Sequence, residues 1–309
     1  MPHPIAIAFI HGIGRTKHGY SASMQRTLER RFARRTADTP SPPGARLVFE
    51  EINWSDALQR REDRLWRRLA SAGPMRYRRL RHFLVDFAAD AIAYQPAPSD
   101  RTAYDAVHQI VAEGLGRLAH RAGGRAPLCI VSHSLGTVIA SNYVYDLSKR
   151  RKSFMCPRVR TAIGTTPLQL GETLSLFYTM GSPIALWGIR YPHFGDPIRF
   201  PPRELSRHHP EIKAEWVNLY DPDDVVAYPL KSLCARYRAA VTEDCQVDVG
   251  SILERWNPLS HLGYWNDGKV ADAIANGLAR VWHQSSAMAL LKGRAGTLAS
   301  RRVAGATRL

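Results

Sequence analysis

Leu128-Cys129-Ile130-Val131-Ser132-His133-Ser134-Leu135-Gly136-Thr137 is the stretch that decides how this chain of 309 residues is read. It opens with a short apolar run, and the residues from Thr137 to Leu147 read as a helix. A strand turning sharply into a helix through small residues is the setting of a nucleophile elbow, which lifts one side chain to the top of a sheet. The central residue of such a turn is strained, so the residues two before and two after it must be small. Here the centre is Ser134, flanked by Ser132 and Gly136. The usual pattern opens with Gly, and Ser132 departs from it by carrying a Cβ. A pentapeptide of this kind also arises by chance, so its meaning depends on what else the chain carries.

Acyl chemistry at a serine needs two backbone N–H groups aimed at the developing oxyanion. One comes from the residue after the nucleophile, here Leu135. The other comes from a loop after an earlier strand. Ile5-Ala6-Ile7-Ala8-Phe9-Ile10 reads as a buried strand running into His11-Gly12-Ile13-Gly14, where glycines let the backbone approach a substrate. Ile13 is the candidate second donor.

The serine also needs a base, and the base an orienting carboxylate, in the chain order Ser, Asp or Glu, His. Glu215 to Tyr220 reads as a strand that ends in Asp221-Pro222-Asp223-Asp224. Carboxylates at the carboxyl end of a central strand lie where open α/β sheets place their sites. Spacing does not choose among the three, and turn chemistry accounts for two of them. Downstream only His261 and His283 remain. His283 sits in a terminal helical stretch, whereas His261 occupies the loop after the last strand, where a base belongs.

The four blocks together, HGIG, SHSLG, NLYDPDDVVAY and SHLGYW, resemble the α/β-hydrolase superfamily, and within it the intracellular phospholipases that carry a DDHD domain. Matching blocks run from about residue 9 to residue 270. The resemblance implies Ser134, Asp224 and His261 as a catalytic triad, choosing Asp224 over Asp223, with Leu135 and Ile13 as oxyanion donors. It also matches Asp90 to Tyr94 to a family segment ahead of the helix before the elbow. The chain departs from the family at Ser132, at Val225 (Pro in the family) and at Lys269 (Asp in the family). No role of that last Asp, including a metal site, is carried over.

Length and composition agree with one large α/β domain: a mostly parallel central sheet, helices on both faces and a helical or irregular cap. The expected strands are 5–10, 46–52, 127–132, 174–180, 215–220 and 245–249, with a helix over 228–243. The hydrolase domain is expected to span 1–284, with an Arg-rich helical insertion at 55–95 and a cap segment at 184–210. Residues 151–173 are expected as a substrate-side loop, and 285–309 as a basic, flexible or loosely helical tail. The N-terminus has no signal-peptide shape, and no apolar run is long enough to span a bilayer. The four cysteines form no C-x-x-C pair, so neither a zinc site nor a disulfide framework is expected, and the default location is cytoplasmic.

The net charge of +16 is unevenly spread. Residues 57–82 hold nine arginines against Glu62 and Asp63, interleaved with Leu, Trp, Tyr and Met. Such a segment suits an interfacial element on anionic lipid; a solvated helix face is the plainer reading, since Arg outnumbers Lys throughout. No nucleic-acid motif is present, and no nucleic-acid partner is expected. His193, His208 and His209 show no metal-binding pattern. The expectation is therefore a serine esterase of lipase or phospholipase type acting on an ester or phospholipid, with no metal or cofactor. An acyltransferase or thioesterase would use the same triad. A membrane-docking protein with a vestigial site is the reading from another class.

Overall fold

A run that is apolar at every position, such as Ile5-Ala6-Ile7-Ala8-Phe9-Ile10, must be covered on both faces, because successive side chains of a strand point to opposite sides. A computed structural model of the chain describes residues 4–13, 16–38, 47–55, 57, 66–69, 71, 76–77, 81, 91–96, 100–148, 155–250 and 258–306. In it all six residues of that run are buried. They form β1 (Ile5–Ile10) of a six-stranded sheet with β2 (Leu47–Ile52), β3 (Leu128–His133), β4 (Leu174–Met180), β5 (Glu215–Tyr220) and β6 (Glu243–Gln246). The spatial order is β2-β1-β3-β4-β5-β6, and every neighbouring pair is parallel. The fold is α/β of the α/β-hydrolase kind.

Alternation divides the core into two layers. Ala6, Ala8, Ile130, Phe177 and Trp216 face α2 (Thr102–Ala122) and α3 (Leu135–Ser148). Ile7, Phe9, Val131, Tyr178 and Leu219 face α1 (Ala22–Arg35) and α8 (Gly268–Ala306). The chain passes from β1 outward to β2, then crosses back to β3 on the other side of β1. That reversal opens a crevice at the carboxyl ends of β1 and β3, the place where ligands enter open parallel sheets. His11 follows β1 and Ser134 follows β3 at that point.

Several boundaries differ from the sequence expectation. Residues 155–173 lie at the amino edge of the sheet, away from the substrate side. Leu168 N–H donates to Gly124 O (2.9 Å) and Leu128 N–H to Thr173 O (2.9 Å). A crossover from the carboxyl end of β3 to the amino end of β4 must return there, and this segment with α4 (Pro157–Ala162) is the return. The expected cap at 184–210 is divided for the same reason. Its first part, α5 (Ile184–Gly188), stays at the carboxyl edge. The second part includes α6 (Leu205–His208), whose His208 meets Glu172, and His209 reaches Arg125 O, both at the amino edge.

The helix expected over 228–243 shrinks to α7 (Ala235–Ala240). Before it, the Asp244 carboxylate holds the N–H groups of Leu230 and Lys231 at 2.9 Å in a turn. β6 begins at Glu243 instead of residue 245: as an edge strand it carries Glu, Asp and Gln, which hide it from an apolar pattern. The stretch expected as a flexible or loosely helical tail carries helix, since α8 continues through Ala306. Its glycines stand singly among helix formers, and an isolated Gly costs about 1 kcal/mol relative to Ala. Most of the Arg-rich 57–82 stretch, Asp90 and Gly14 lie outside the described residues.

Candidate active site

Ser134 sits between the last residue of β3 and the first of α3, at φ 52°. This left-handed conformation costs a non-glycine residue about 1–3 kcal/mol and persists only where its surroundings impose it. Ser134 N–H donates to Met180 O at 2.9 Å, and Thr137 N–H and Oγ1 both bond to Ser134 O, which clamps the turn. A Cβ on Gly136 would collide with the carbonyl oxygens of Ile10 and His11, so the fifth residue of the elbow has to be Gly. The first does not: Ser132 is buried, and its hydroxyl donates to Tyr178 O at 3.1 Å.

The structure brings together Ser134, His261 and Asp224, which lie after three different strands. His261 lies on the 3-10 helix Pro258–Asn266, which follows β6. Its Nε2 is 2.7 Å from Ser134 Oγ, and its Nδ1 is 2.7 Å from Asp224 Oδ2. An ionised carboxylate only accepts, so Nδ1 carries the proton and Nε2 is left to receive one from the serine. All three side chains are buried. Burial alone would raise the Asp224 pKa. The hydrogen bond and charge of His261, with donors from Val226 N–H and Tyr264 O–H, outweigh it and hold the carboxyl below its ordinary value.

The other two acids of the turn do different work. Asp221 is buried and accepts from Asp223 N–H (2.8 Å) and Val249 N–H (2.6 Å), stitching β5 to the chain after β6. Asp223 is exposed. His283 lies on α8 against Arg35 O, and His193 is an exposed surface residue. Among the described residues no group of three or more His, Cys, Asp and Glu is arranged to hold a metal ion.

The His11-Gly12-Ile13 loop runs beside the nucleophile: a Cβ on Gly12 would lie 3.3 Å from Ser134 Oγ. The loop is propped from behind, because the His11 ring stacks on Trp54 at 4.9 Å and the Trp54 indole donates to His11 O at 2.8 Å. Ile13 is half-buried at its tip. Leu135 is the first residue of α3, so its N–H is one of the donors a helix leaves without an intrahelical acceptor.

Sequence reasoning missed the residues that hold this arrangement. Tyr264 O–H donates to Asp224 Oδ2 at 3.0 Å and its oxygen accepts from Asp221 N–H at 2.9 Å. It lies three residues beyond His261, and in a 3-10 helix positions i and i+3 share a face, which is the signal that could have found it. His133 Nε2–H donates to His261 O at 2.7 Å, tying the elbow to the segment that carries the base. Burial, and then the neighbouring His261, lower the His133 pKa to about 3, so its ring is neutral. Gly181, at φ 56°, lies directly against this cluster: a Cβ there would come within 2.9 Å of the Tyr264 ring and 3.1 Å of His261 Cε1.

In comparisons with known proteins, no family model matches the chain and none of the curated proteins matches it.

Proposed function

We propose that this protein is a serine hydrolase that cleaves carboxylic esters through an acyl-enzyme on Ser134, and that its substrates are lipids or phospholipids. The observation that carries the reading is the unbroken pair of 2.7 Å contacts from Asp224 through His261 to Ser134 Oγ, at a strained turn between a strand and a helix. In the proposed cycle Ser134 Oγ attacks the ester carbonyl as its proton passes to His261 Nε2. Asp224 keeps the imidazole in the Nδ1–H tautomer and stabilises the imidazolium. The amides of Leu135 and Ile13 receive the oxyanion, each such donor being worth roughly 3–4 kcal/mol. Protonation of the leaving alkoxide by His261 releases the alcohol. Water activated by the same ring then hydrolyses the acyl-enzyme.

The lipid class rests on the four-block resemblance to DDHD phospholipases. We place the enzyme in the cytoplasm at a membrane surface. In support, the four cysteines are free, as suits a reducing compartment.

Labelling by a fluorophosphonate probe tests the proposal. Wild type is expected to label at one serine, and Ser134→Ala to abolish labelling; His261→Ala should depress it. Folded wild type that fails to label, with and without vesicles, would sink the hydrolase reading.

A further inference from the structure

Apolar side chains left in water carry information when they gather on one side of a molecule, since scattered ones are normal. The described residues include eleven large apolar side chains that are more than a third exposed. Only Leu170 belongs to chain at the amino edge of the sheet; the other ten lie in chain that leaves the carboxyl ends of β2, β4, β5 and β6. Ser134, at the carboxyl end of β3, is buried beneath that edge.

Two of them are sequence neighbours of the relay residues. Val225 follows the buried Asp224 and is 69% exposed, and Leu262 follows the buried His261 and is 52% exposed. Ile189, at the end of α5 beyond β4, is 72% exposed. Two separate connections therefore turn one side chain inward toward the relay and an apolar neighbour outward beside it, and the connection after β4 adds the exposed Ile189.

The same edge is basic. The connection from β2 to α2 begins at Ile52. It ends at Thr102, where α2 begins, and a Cβ on Gly114 of that helix would come within 2.8 Å of the Ile52 side chain. In sequence this connection is rich in arginine, with nine in residues 57–82 and Asp56, Glu62, Asp63, Asp86, Asp90 and Asp100 as its acids. Of those arginines, Arg67, Arg68, Arg76 and Arg81 are described and exposed. Arg190, next to Ile189, is exposed with its guanidinium 5.7 Å from the Tyr191 ring centre. Exposed apolar side chains and exposed arginines carried by the same connections fit an interface of anionic headgroups over hydrocarbon.

We propose that the carboxyl edge of the sheet docks on an anionic lipid bilayer, with Ile189, Val225 and Leu262 entering the headgroup boundary. Docked this way, the edge that carries Ser134 faces the membrane, and an ester approaches from the lipid side. What docking serves rests on the hydrolase reading; docking itself does not, and its test uses no turnover.

The experiment is flotation of the full chain carrying Ser134→Ala with phosphatidylcholine vesicles, with and without phosphatidylserine. The parent should float with anionic vesicles, and binding should weaken as salt is raised. The combined Ile189→Ser, Val225→Ser and Leu262→Ser variant leaves every charge in place and should bind about tenfold more weakly. Leu170→Ser, at the opposite edge, should bind like the parent. The single Ser variants provide the comparison if the triple variant does not fold. Equal flotation of the parent and the rim variants overturns the proposal. So does a parent that ignores all vesicles but forms a dimer which the rim variants dissociate, since the rim is then a protein interface. Probe labelling of wild-type Ser134 reports separately on the hydrolase reading, so the two ideas fail independently.

Discussion

Asn in place of each acid of the Asp221-Pro222-Asp223-Asp224 turn should give three different results, and the geometry says which. Asp224 accepts three hydrogen bonds: His261 Nδ1–H and Tyr264 O–H on Oδ2, and Val226 N–H on Oδ1. An amide has one accepting end and one donating end. If its oxygen stays toward Oδ2, the backbone N–H of Val226 and the amide's own N–H groups lose their partners. If its nitrogen turns that way, it donates to the Tyr264 oxygen and to His261 Nδ1, and only the tyrosine proton is left over. Each buried orphan costs about 1–3 kcal/mol, so the second arrangement wins. It forces the His261 proton onto Nε2, where the ring faces Ser134 with nothing to accept the serine proton. The carboxylate charge that stabilises the imidazolium is lost in either case. Asp224→Asn is therefore expected to lower kcat about 10⁴-fold. That is roughly 5.5 kcal/mol of barrier, set against a stability loss of only about 1–3 kcal/mol. Asp221→Asn should do the reverse, because its carboxylate accepts from the buried Val249 N–H and the part-buried Asp223 N–H and touches neither His261 nor Ser134: about 1–3 kcal/mol of stability goes and chemistry is little changed. Asp223→Asn, exposed, should alter neither. The assay is steady-state hydrolysis of a soluble nitrophenyl ester beside urea denaturation of each variant. Asp224→Asn within tenfold of wild type, or Asp223→Asn falling as far, would refute the reasoning.

Tyr264→Phe removes one of three donors to the Asp224 carboxylate and leaves Asp221 N–H unpartnered. Stability should fall by about 1–3 kcal/mol, and a more basic carboxylate should move the acid limb of the kcat/KM pH profile upward; an unmoved limb would show that the hydroxyl is only structural. His108 and His133 are buried with pKa lowered to about 3, in both cases chiefly by desolvation. The folded state thus refuses protons that the unfolded chain takes up below about 6.5. Their contribution is intact above that pH and declines by about 1.4 kcal/mol per unit for each ring as pH falls toward 3. Asp146, whose carboxyl is raised mainly by burial, offsets part of this by binding a proton more readily when folded. Urea midpoints at pH 7.5 and 5 should differ clearly, and equal midpoints would contradict it. Gly136→Ala should destabilise the elbow or abolish probe labelling, because the added methyl meets backbone oxygens of Ile10 and His11 that cannot move aside; a well-folded, normally labelling variant would show that the loop has room.

Local chemistry that leaves a mark in composition was readable without coordinates. β1, β3 and β4 are buried on both faces and so appear as apolar runs; the strained Ser134 turn needs small neighbours; the acidic turn and His261 stand in order along the chain. Where an element owes its place to partners distant in sequence, the pattern failed. β6 is an edge strand of polar residues, paired through backbone groups that composition does not record. Residues 155–173 and much of 184–210 resemble substrate loops, yet the parallel connections carry them to the opposite edge.

The sequence by itself determined which residue types stand at the ends of which strands, because strand burial, turn sterics and helix periodicity act over a few residues. Spacing left the three acids open and only the family resemblance favoured Asp224; the tertiary structure brings Asp224, and neither Asp221 nor Asp223, to His261. It alone placed Tyr264 and Gly181 against that pair. Adjacent carboxylates in one turn look alike to local rules. They are told apart by where a 3-10 helix some 40 residues later sets its donors, and that is fixed by packing across the sheet.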